Sequence, residues 1–314
     1  MHEISPAWLA MWTNKLTLRK YKLATKKLSR PVSVLLLSDL HGAGLGAEQE
    51  KLFKNVRQIN PDFVLLAGDI VDDELPYPPA FALLKKLGKN YPCFYVTGNH
   101  EFWCGRHRSV QDRLNEMSVE GYAHTGMQAS LNKKAYRLKN SLHRDGGTRE
   151  KHPDAYPHGV NSLKRELEGL EITVLEGKCA TINIKGARFN ICGVDDPVAG
   201  EDVYIEQLAA VKTYCRPDAY NILIAHRPER IEQHLKLGFD LVVSGHAHGG
   251  QWRLPGLVNG VFAPNQGIFP RYAGGLYRFE ETSLVVSRGA CKKNTRVPRI
   301  FNPPELVVIN IMPN

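Results

Sequence analysis

Five short segments of this chain carry side chains able to hold metal ions. SDLHG contains Asp39 and His41, GDIVDD contains Asp69, GNHEF contains Asn99 and His100, HRPE contains His226, and SGHAHGG contains His246 and His248. Carboxylate, amide and imidazole donors without thiolates suit Mn, Fe, Zn or Ni. Asp-x-His on an extended segment turns both side chains to the same side, so Asp39 and His41 can reach one ion. Asp69 is the best candidate to bridge two ions, because one carboxylate has two oxygens, and Asn99 donates a neutral carbonyl oxygen. Two cations ~3.5–4 Å apart with a hydroxide between them would clamp an in-line displacement at phosphorus. Taken singly, each residue has a plainer explanation: Asp39 or Asp69 could cap a turn, and His226 could be a satisfied half-buried histidine. Five segments loaded in the same way are harder to dismiss.

Each of these segments follows a short, Leu-rich or β-branched run, and such runs bounded by turn residues predict buried strands. Strands are expected at 32–37, 63–67, 93–97, 188–192, 221–225, 241–244, 283–287 and 306–311. Amphipathic helical patterns fall between the early strands, as in AEQEKLFKNVRQIN and PPAFALLKKLGK, and recur in VYIEQLAAVKTYC and PERIEQHLKLGF. The alternation predicts an α/β fold with helices on the sheet faces, and the late run of strands predicts a second sheet packed on the first. In open α/β sheets, ligands gather at the carboxyl ends of the strands, so the five segments should converge there.

In this order, SDLHG, GDIVDD, GNHE, a lone strand-end His and GHAHGG resemble the calcineurin-like metallophosphoesterase superfamily. GHAHGGQ, with the later APNQGIFPRYAGGLY and SRGA, is similar to a bacterial branch containing cell-envelope phosphoesterases and enzymes that cleave UDP-diacylglucosamine. The resemblance implies a two-sheet α/β sandwich flanked by helices and a dinuclear site. It assigns Asp39, His41, Asp69 and His248 to one metal and Asp69, Asn99, His226 and His246 to the other. It makes His100 the residue that contacts the phosphate and protonates the leaving oxygen, while Asp69 bridges the ions. The metals are expected to be Mn foremost, with Fe, Zn or Ni as alternatives. The implied activity is metal-dependent hydrolysis of a phosphodiester or pyrophosphate bond, on a lipid-linked or nucleotide-sugar substrate. One departure matters: protein phosphatases of the superfamily carry Arg in a GDxVDRG pattern, whereas GDIVDDE places Asp72, Asp73 and Glu74 there. This argues against a phosphoprotein substrate.

The remainder of the chain sets context. It has 314 residues, 43% apolar and 23% charged, ordinary for a soluble globular protein. A net charge of +9 favours phosphate-bearing partners or an anionic membrane face. Residues 1–30 form a leading segment in which Trp8 and Trp12 precede a Lys/Arg-rich run, and such a segment can rest on a membrane surface. No signal peptide or membrane span is visible, so the expected location is cytoplasmic, peripheral to the inner face of the membrane. The metallophosphoesterase domain is expected over 31–314, with a polar insertion at about 105–158. The six scattered cysteines read as buried free thiols. Arg227, Arg271 and Arg288 are weak candidates for holding phosphate bidentately. Asp195 and Asp196 either line the site or make a turn before Pro197. The competing function is a nuclease or cyclic-nucleotide phosphodiesterase, but the chain has no nucleic-acid reader motif. A non-catalytic scaffold of the same fold is disfavoured because every motif position is filled. Oligomeric state is not legible.

Overall fold

VSVLLL, FVLLA and LVVS are apolar at nearly every position, as expected of strands covered on both faces. The computed structural model, which describes residues 15–42, 47–72, 78–103, 159–254, 256–291 and 299–314, places these runs in two sheets. The first sheet contains β1 (Thr17–Thr25), β14 (Glu305–Pro313), β2 (Val32–Leu37), β3 (Phe63–Ala67), β4 (Cys93–Val96) and β5 (Ile172–Val174), in that spatial order. The second contains β12 (Gly275–Arg278), β13 (Ser283–Val286), β9 (Leu241–Ser244), β8 (Tyr220–Ile224), β7 (Ala187–Gly193) and β6 (Lys178–Ile184). In the first sheet β2, β3, β4 and β5 run parallel, while β14 pairs antiparallel with β2. In the second, β13, β9, β8 and β7 run parallel. A small hairpin pairs β10 (Phe262–Ala263) with β11 (Gly267–Ile268).

Side-chain alternation along each strand divides the core into layers. Val34, Leu36, Phe63 and Leu65 face Phe189, Ile191, Ile222 and Val243 between the sheets. Phe63 meets Phe189 edge-on across that layer, with centroids 5.5 Å apart. The alternate residues Leu35, Leu37, Val64 and Leu66 turn outward, towards Leu52 and Val56 of the helix Ala47–Ile59 and Leu83, Leu84 and Leu87 of Pro78–Asn90. Leu223 and Val242 pack outward on Leu208 and Val211 of the helix Glu201–Lys212.

The two-sheet α/β sandwich is therefore as expected from the sequence, and the strands at 32–37, 63–67 and 241–244 have those bounds. Other elements differ. β1 lies inside the segment set apart at 1–30. Exposed Lys20 and Lys22 alternate with Arg19, Tyr21 and Leu23, which turn inward, and this alternation reads as a charged run when periodicity is ignored. β5, β6, β12 and the helix Val160–Gly169 were not anticipated. The pattern PERIEQHLKLGF yields only a 3₁₀ turn at Pro228–Arg230 and one helical turn at Ile231–His234. Residues 1–14, the 105–158 insertion, and Asp73 and Glu74 lie outside the described residues. Among the described residues, no helix is long and apolar enough to cross a membrane, and Cys93, Cys179, Cys192, Cys215 and Cys291 are free thiols.

Candidate metal centre

All five donor-bearing segments leave the carboxyl ends of parallel strands. Asp39 and His41 follow β2, Asp69 follows β3, Asn99 and His100 follow β4, His226 follows β8, and His246 and His248 follow β9. The site thus straddles one edge of the sandwich, drawing on both sheets. The chain does not stay extended there. Asp39, His41, Asp69, His246 and His248 have φ values of 49°, 50°, 51°, 65° and 47°. This corrects the extended Asp-x-His picture: tight left-handed turns, not a strand period, aim the side chains. Left-handed backbone costs an L-residue about 1–2 kcal/mol, and surrounding bonds must hold it. Asp39 N donates to Gly68 O at 3.0 Å and His41 N to Asp69 O at 2.9 Å. His246 N donates to Asp39 Oδ1 and His100 N to Asp69 Oδ1, both at 2.9 Å.

Two glycines make room for the carboxylates. A Cβ on Gly98 would sit 2.2 Å from Asp69 Oδ1, and one on Gly245 would sit 2.4 Å from Asp39 Oδ2. Gly245 is thus needed for the close approach of Asp39. Gly249 and Gly250, by contrast, face Asn302 and the Gly260 backbone.

One donor atom from each of Asp39, His41, Asp69 and His248 lies within 4.8 Å of the others, and the same holds for Asp69, His226 and His246. Asp69 is common to both groups. His41 Nε2 is 3.2 Å from His248 Nε2 and 3.9 Å from Asp69 Oδ2, and His248 Nε2 is 3.6 Å from Asp39 Oδ1. Donors held ~2.1 Å from one ion stand about 3–3.5 Å from each other, so these spacings suit a shared cation.

The hydrogen-bond inventory points the same way. His226 Nδ1 donates to Ala67 O at 2.7 Å, which leaves Nε2 of the neutral ring as an acceptor. That Nε2 faces Asp69 Oδ2 at 3.2 Å, an encounter of two acceptors that a cation resolves. Asn99 Oδ1, His226 Nε2 and His246 Nε2 are buried without hydrogen-bond partners. Buried polar atoms are seldom left so. The donor set therefore fits divalent cations.

Electrostatics hold Asp69, His246 and His248 in ligating form and leave Asp39 and His226 inclined to keep a proton until a cation replaces it. Burial penalises the Asp69 charge, but His226 and His100 outweigh it and hold the carboxyl well below the usual range. Burial, with Asp69 adding to it, pushes Asp39 up against the pull of His226 and His41. Burial opposes protonation of His226, yet Asp69 and Asp39 beside it raise its pKa to about 10. A proton there stands in for a metal charge. Burial drives His246 and His248 well below the ordinary imidazole value, aided by Arg227 and His41 respectively. Metal ligands must be deprotonated, and these two rings already are at neutral pH.

His100 is the most open of the motif histidines that meet Asp72. Its side chain is 26% exposed, with Nδ1 3.6 Å from Asp72 Oδ2 and the ring 4.5 Å from that of His41. The three arginines fall in different places. Arg227 is buried and gives Nε and Nη2 to Asp196 at 2.7 and 2.8 Å. Arg271 is exposed at the surface, 3.8 Å from Glu232. Arg288 is buried next to Glu305. Asp196 also caps the turn at Pro197–Ala199 through Val198 N, so the turn reading of GVDDP holds. Asp195 accepts from Thr97 Oγ1 and Lys164 Nζ within the protein.

Two residues in the motifs were given no role and have one. Asp72 accepts from His41 Nδ1 at 2.9 Å, fixing the ring so that Nε2 faces the centre. A carboxylate behind a metal-binding histidine does this commonly. Glu101 accepts from the backbone N–H groups of Asp69, Ile70, Val71 and Gly98 at 2.6–3.1 Å, locking the Asp69 turn to the Asn99 turn. The acids following Asp69 and His100 in sequence were the available signal.

The calcineurin-like phosphoesterase sequence profile matches residues 32–250. An uncharacterised metallophosphoesterase of Helicobacter pylori is 25% identical over 91% of this chain, which spans 61% of that protein. The Escherichia coli phosphodiesterase YaeI is 25% identical, covering 92% of this chain and 84% of its own. The UDP-2,3-diacylglucosamine pyrophosphatase LpxG of Chlamydia muridarum is 24% identical, covering 98% and 94%. With the profile spanning every donor-bearing segment, this chain belongs to the calcineurin-like phosphoesterase family.

Proposed function

We propose that this protein is a metal-dependent phosphoesterase that cleaves a phosphodiester or pyrophosphate bond. The observation that carries this reading is the convergence, at one sheet edge, of buried carboxylates with imidazole and amide atoms that have no protein partner. Asp39, His41, Asp69 and His248 would hold one divalent ion, and Asp69, Asn99, His226 and His246 a second. Oxygen and nitrogen donors favour Mn, with Fe, Zn or Ni as alternatives. Two such ions, when bound, neutralise charge on the phosphoryl oxygens and supply a nucleophile derived from water at neutral pH.

The chain's own residues supply the rest. His100, reachable from solvent, contacts the phosphate and protonates the leaving oxygen, a step typically worth ~10²–10⁴-fold. Asp72 steadies that ring and the ring of His41. The sequence alignment with LpxG supports a lipid-linked or nucleotide-sugar substrate. So does the loop after His248, where Trp252, Leu254, Leu257 and Phe269 are 40%, 47%, 87% and 68% exposed. Those apolar side chains and the net charge of +9 suit an enzyme working at an anionic membrane face.

Hydrolysis of bis-p-nitrophenyl phosphate tests the reaction. Turnover should require added Mn²⁺ and vanish in Asp69→Ala; robust turnover without metal would overturn the reading. A panel of UDP-diacylglucosamine, nucleotide sugars, cyclic nucleotides and phosphomonoesters then ranks the substrate classes. Liposome sedimentation with and without residues 1–14, a truncation that keeps β1, separates an N-terminal contact from one made by the Trp252 loop.

A further inference from the structure

Beside the Asp39 side of the centre, two guanidiniums flank a single buried carboxylate, and a third lies near one of them. Glu305 is fully buried at the start of β14. Its Oε2 lies 3.5 Å from Arg288 Nε and 3.7 Å from Arg19 Nε. None of these three atoms has a hydrogen-bond partner. Arg253 brings a third positive charge. Its Nη2 meets Asn259, but its Nη1 is buried without a partner.

Arg253 and Arg288 face one another across Gly274. From the point where a Cβ on Gly274 would sit, Arg288 Nε is 3.4 Å away and Arg253 Nη1 is 3.5 Å away. Burial, with Arg288 next to it, lowers the Arg253 pKa to about 10. Like charges held this close, next to a carboxylate already flanked by Arg19 and Arg288, are an arrangement that a second anion relieves. Arg288 is 8% exposed, so a ligand meeting it would be largely out of water, where charge-assisted hydrogen bonds are strong.

The pair borders the metal centre. Arg288 precedes Gly289, whose Cβ position lies 2.7 Å from Asp39 Cβ. Arg299 spans the gap: its Nη1 donates to Arg288 O at 2.8 Å, and its Nη2 is 3.3 Å from His248 Nδ1. We propose that Arg253 and Arg288 form a subsite for a second phosphate oxyanion, the non-scissile phosphoryl group of a substrate whose other phosphorus sits between Asp39 and His100. The guanidiniums bind and orient that group and take no part in bond cleavage. The link to substrate rests on the phosphoesterase reading above; the anion site itself does not.

Two measurements on the full chain test this. First, inorganic phosphate is titrated calorimetrically into protein freed of metal by chelator. Binding should be detected, weaken at least tenfold in Arg253→Ala and in Arg288→Ala, and persist in His248→Ala. Binding that is absent at millimolar phosphate, or indifferent to both arginines, overturns the site. Arg288→Lys and Arg253→Lys, which keep the charge, serve if an alanine variant does not fold, and should still weaken binding because Lys cannot make the forked contact. Second, with Mn²⁺ supplied, kcat/KM is compared for a nucleotide sugar and for bis-p-nitrophenyl phosphate. Arg288→Ala should lower the first at least tenfold more than the second. Equal losses would show that the bound anion is not part of the substrate. If the wild-type protein hydrolyses neither compound, the catalytic reading fails while the phosphate titration still decides the subsite.

Discussion

The carboxylate of Asp39 accepts a hydrogen bond from the backbone N–H of His246 at 2.9 Å, across 207 residues of sequence. This bond ties the end of β2 in one sheet to the end of β9 in the other. The nearby imidazoles of His246 and His248 fall in separate donor groups that share Asp69.

That division makes the two histidines separable. His248→Ala should weaken the ion shared with Asp39 and His41, whereas His246→Ala should weaken the ion shared with His226. Stepwise Mn²⁺ titration followed by electron paramagnetic resonance reads the two sites. Loss of the same ion in both variants would contradict the assignment.

Asp72 is expected to act through His41. Its removal frees the His41 ring to rotate and to change tautomer. Asp72→Ala should lower metal affinity about 10–100-fold, with the larger effect on the ion held by His41 and His248. Calorimetric metal titration measures this. Unchanged affinity would show that the buried Asp72 does not act through the His41 ring.

Glu101 is expected to matter for stability first. Its two oxygens accept four backbone N–H groups at the Asp69 and Asn99 turns. Each buried donor left unsatisfied costs about 1–3 kcal/mol. Glu101→Ala should therefore destabilise the fold by about 3 kcal/mol or more in urea denaturation. Glu101→Gln should fall between the two, because the amide nitrogen would oppose N–H groups that need an acceptor.

His234 provides a pH signature away from the metals. It is fully buried, with Nε2 2.6 Å from the Tyr204 hydroxyl. Burial, and Arg230 nearby, lower its pKa from 6.5 to about 3. The folded state therefore holds the neutral ring, and the unfolded chain takes up the proton first. The resulting stability is complete above pH 6.5 and is lost as pH falls from 6.5 towards 3. At pH 5 the loss from this residue should be about 2 kcal/mol. Urea midpoints at pH 7 and pH 5, with metal saturating, should show a smaller drop in His234→Gln than in wild type. Equal drops would place the titration elsewhere.

Legibility of the site followed from what each signal depends on. The donor residues were readable because ligand type and strand-end position are local properties, visible in segments such as SDLHG and SGHAHGG. Glu101 and Asp72 were overlooked although they stand in the same motifs, because accepting backbone N–H groups or backing a ring depends on where distant turns lie. Arg227 and Arg288 look alike in sequence, each beside a strand end. Only packing pairs Arg227 with Asp196 and sets Arg288 against Arg253.

By itself the sequence determined the layered α/β sandwich, the strands that end at the site and the chemical types of the donors. These follow from hydrophobic periodicity and residue identity, which act over a few positions at a time. Tertiary structure decided the rest. It bent Asp39, His41, Asp69, His246 and His248 into left-handed turns, added Thr17–Thr25 as an edge strand, and brought Arg253 beside Arg288. Each of those outcomes balances local strain or charge repulsion against bonds from distant parts of the chain, and no window of neighbouring residues contains both sides of that balance.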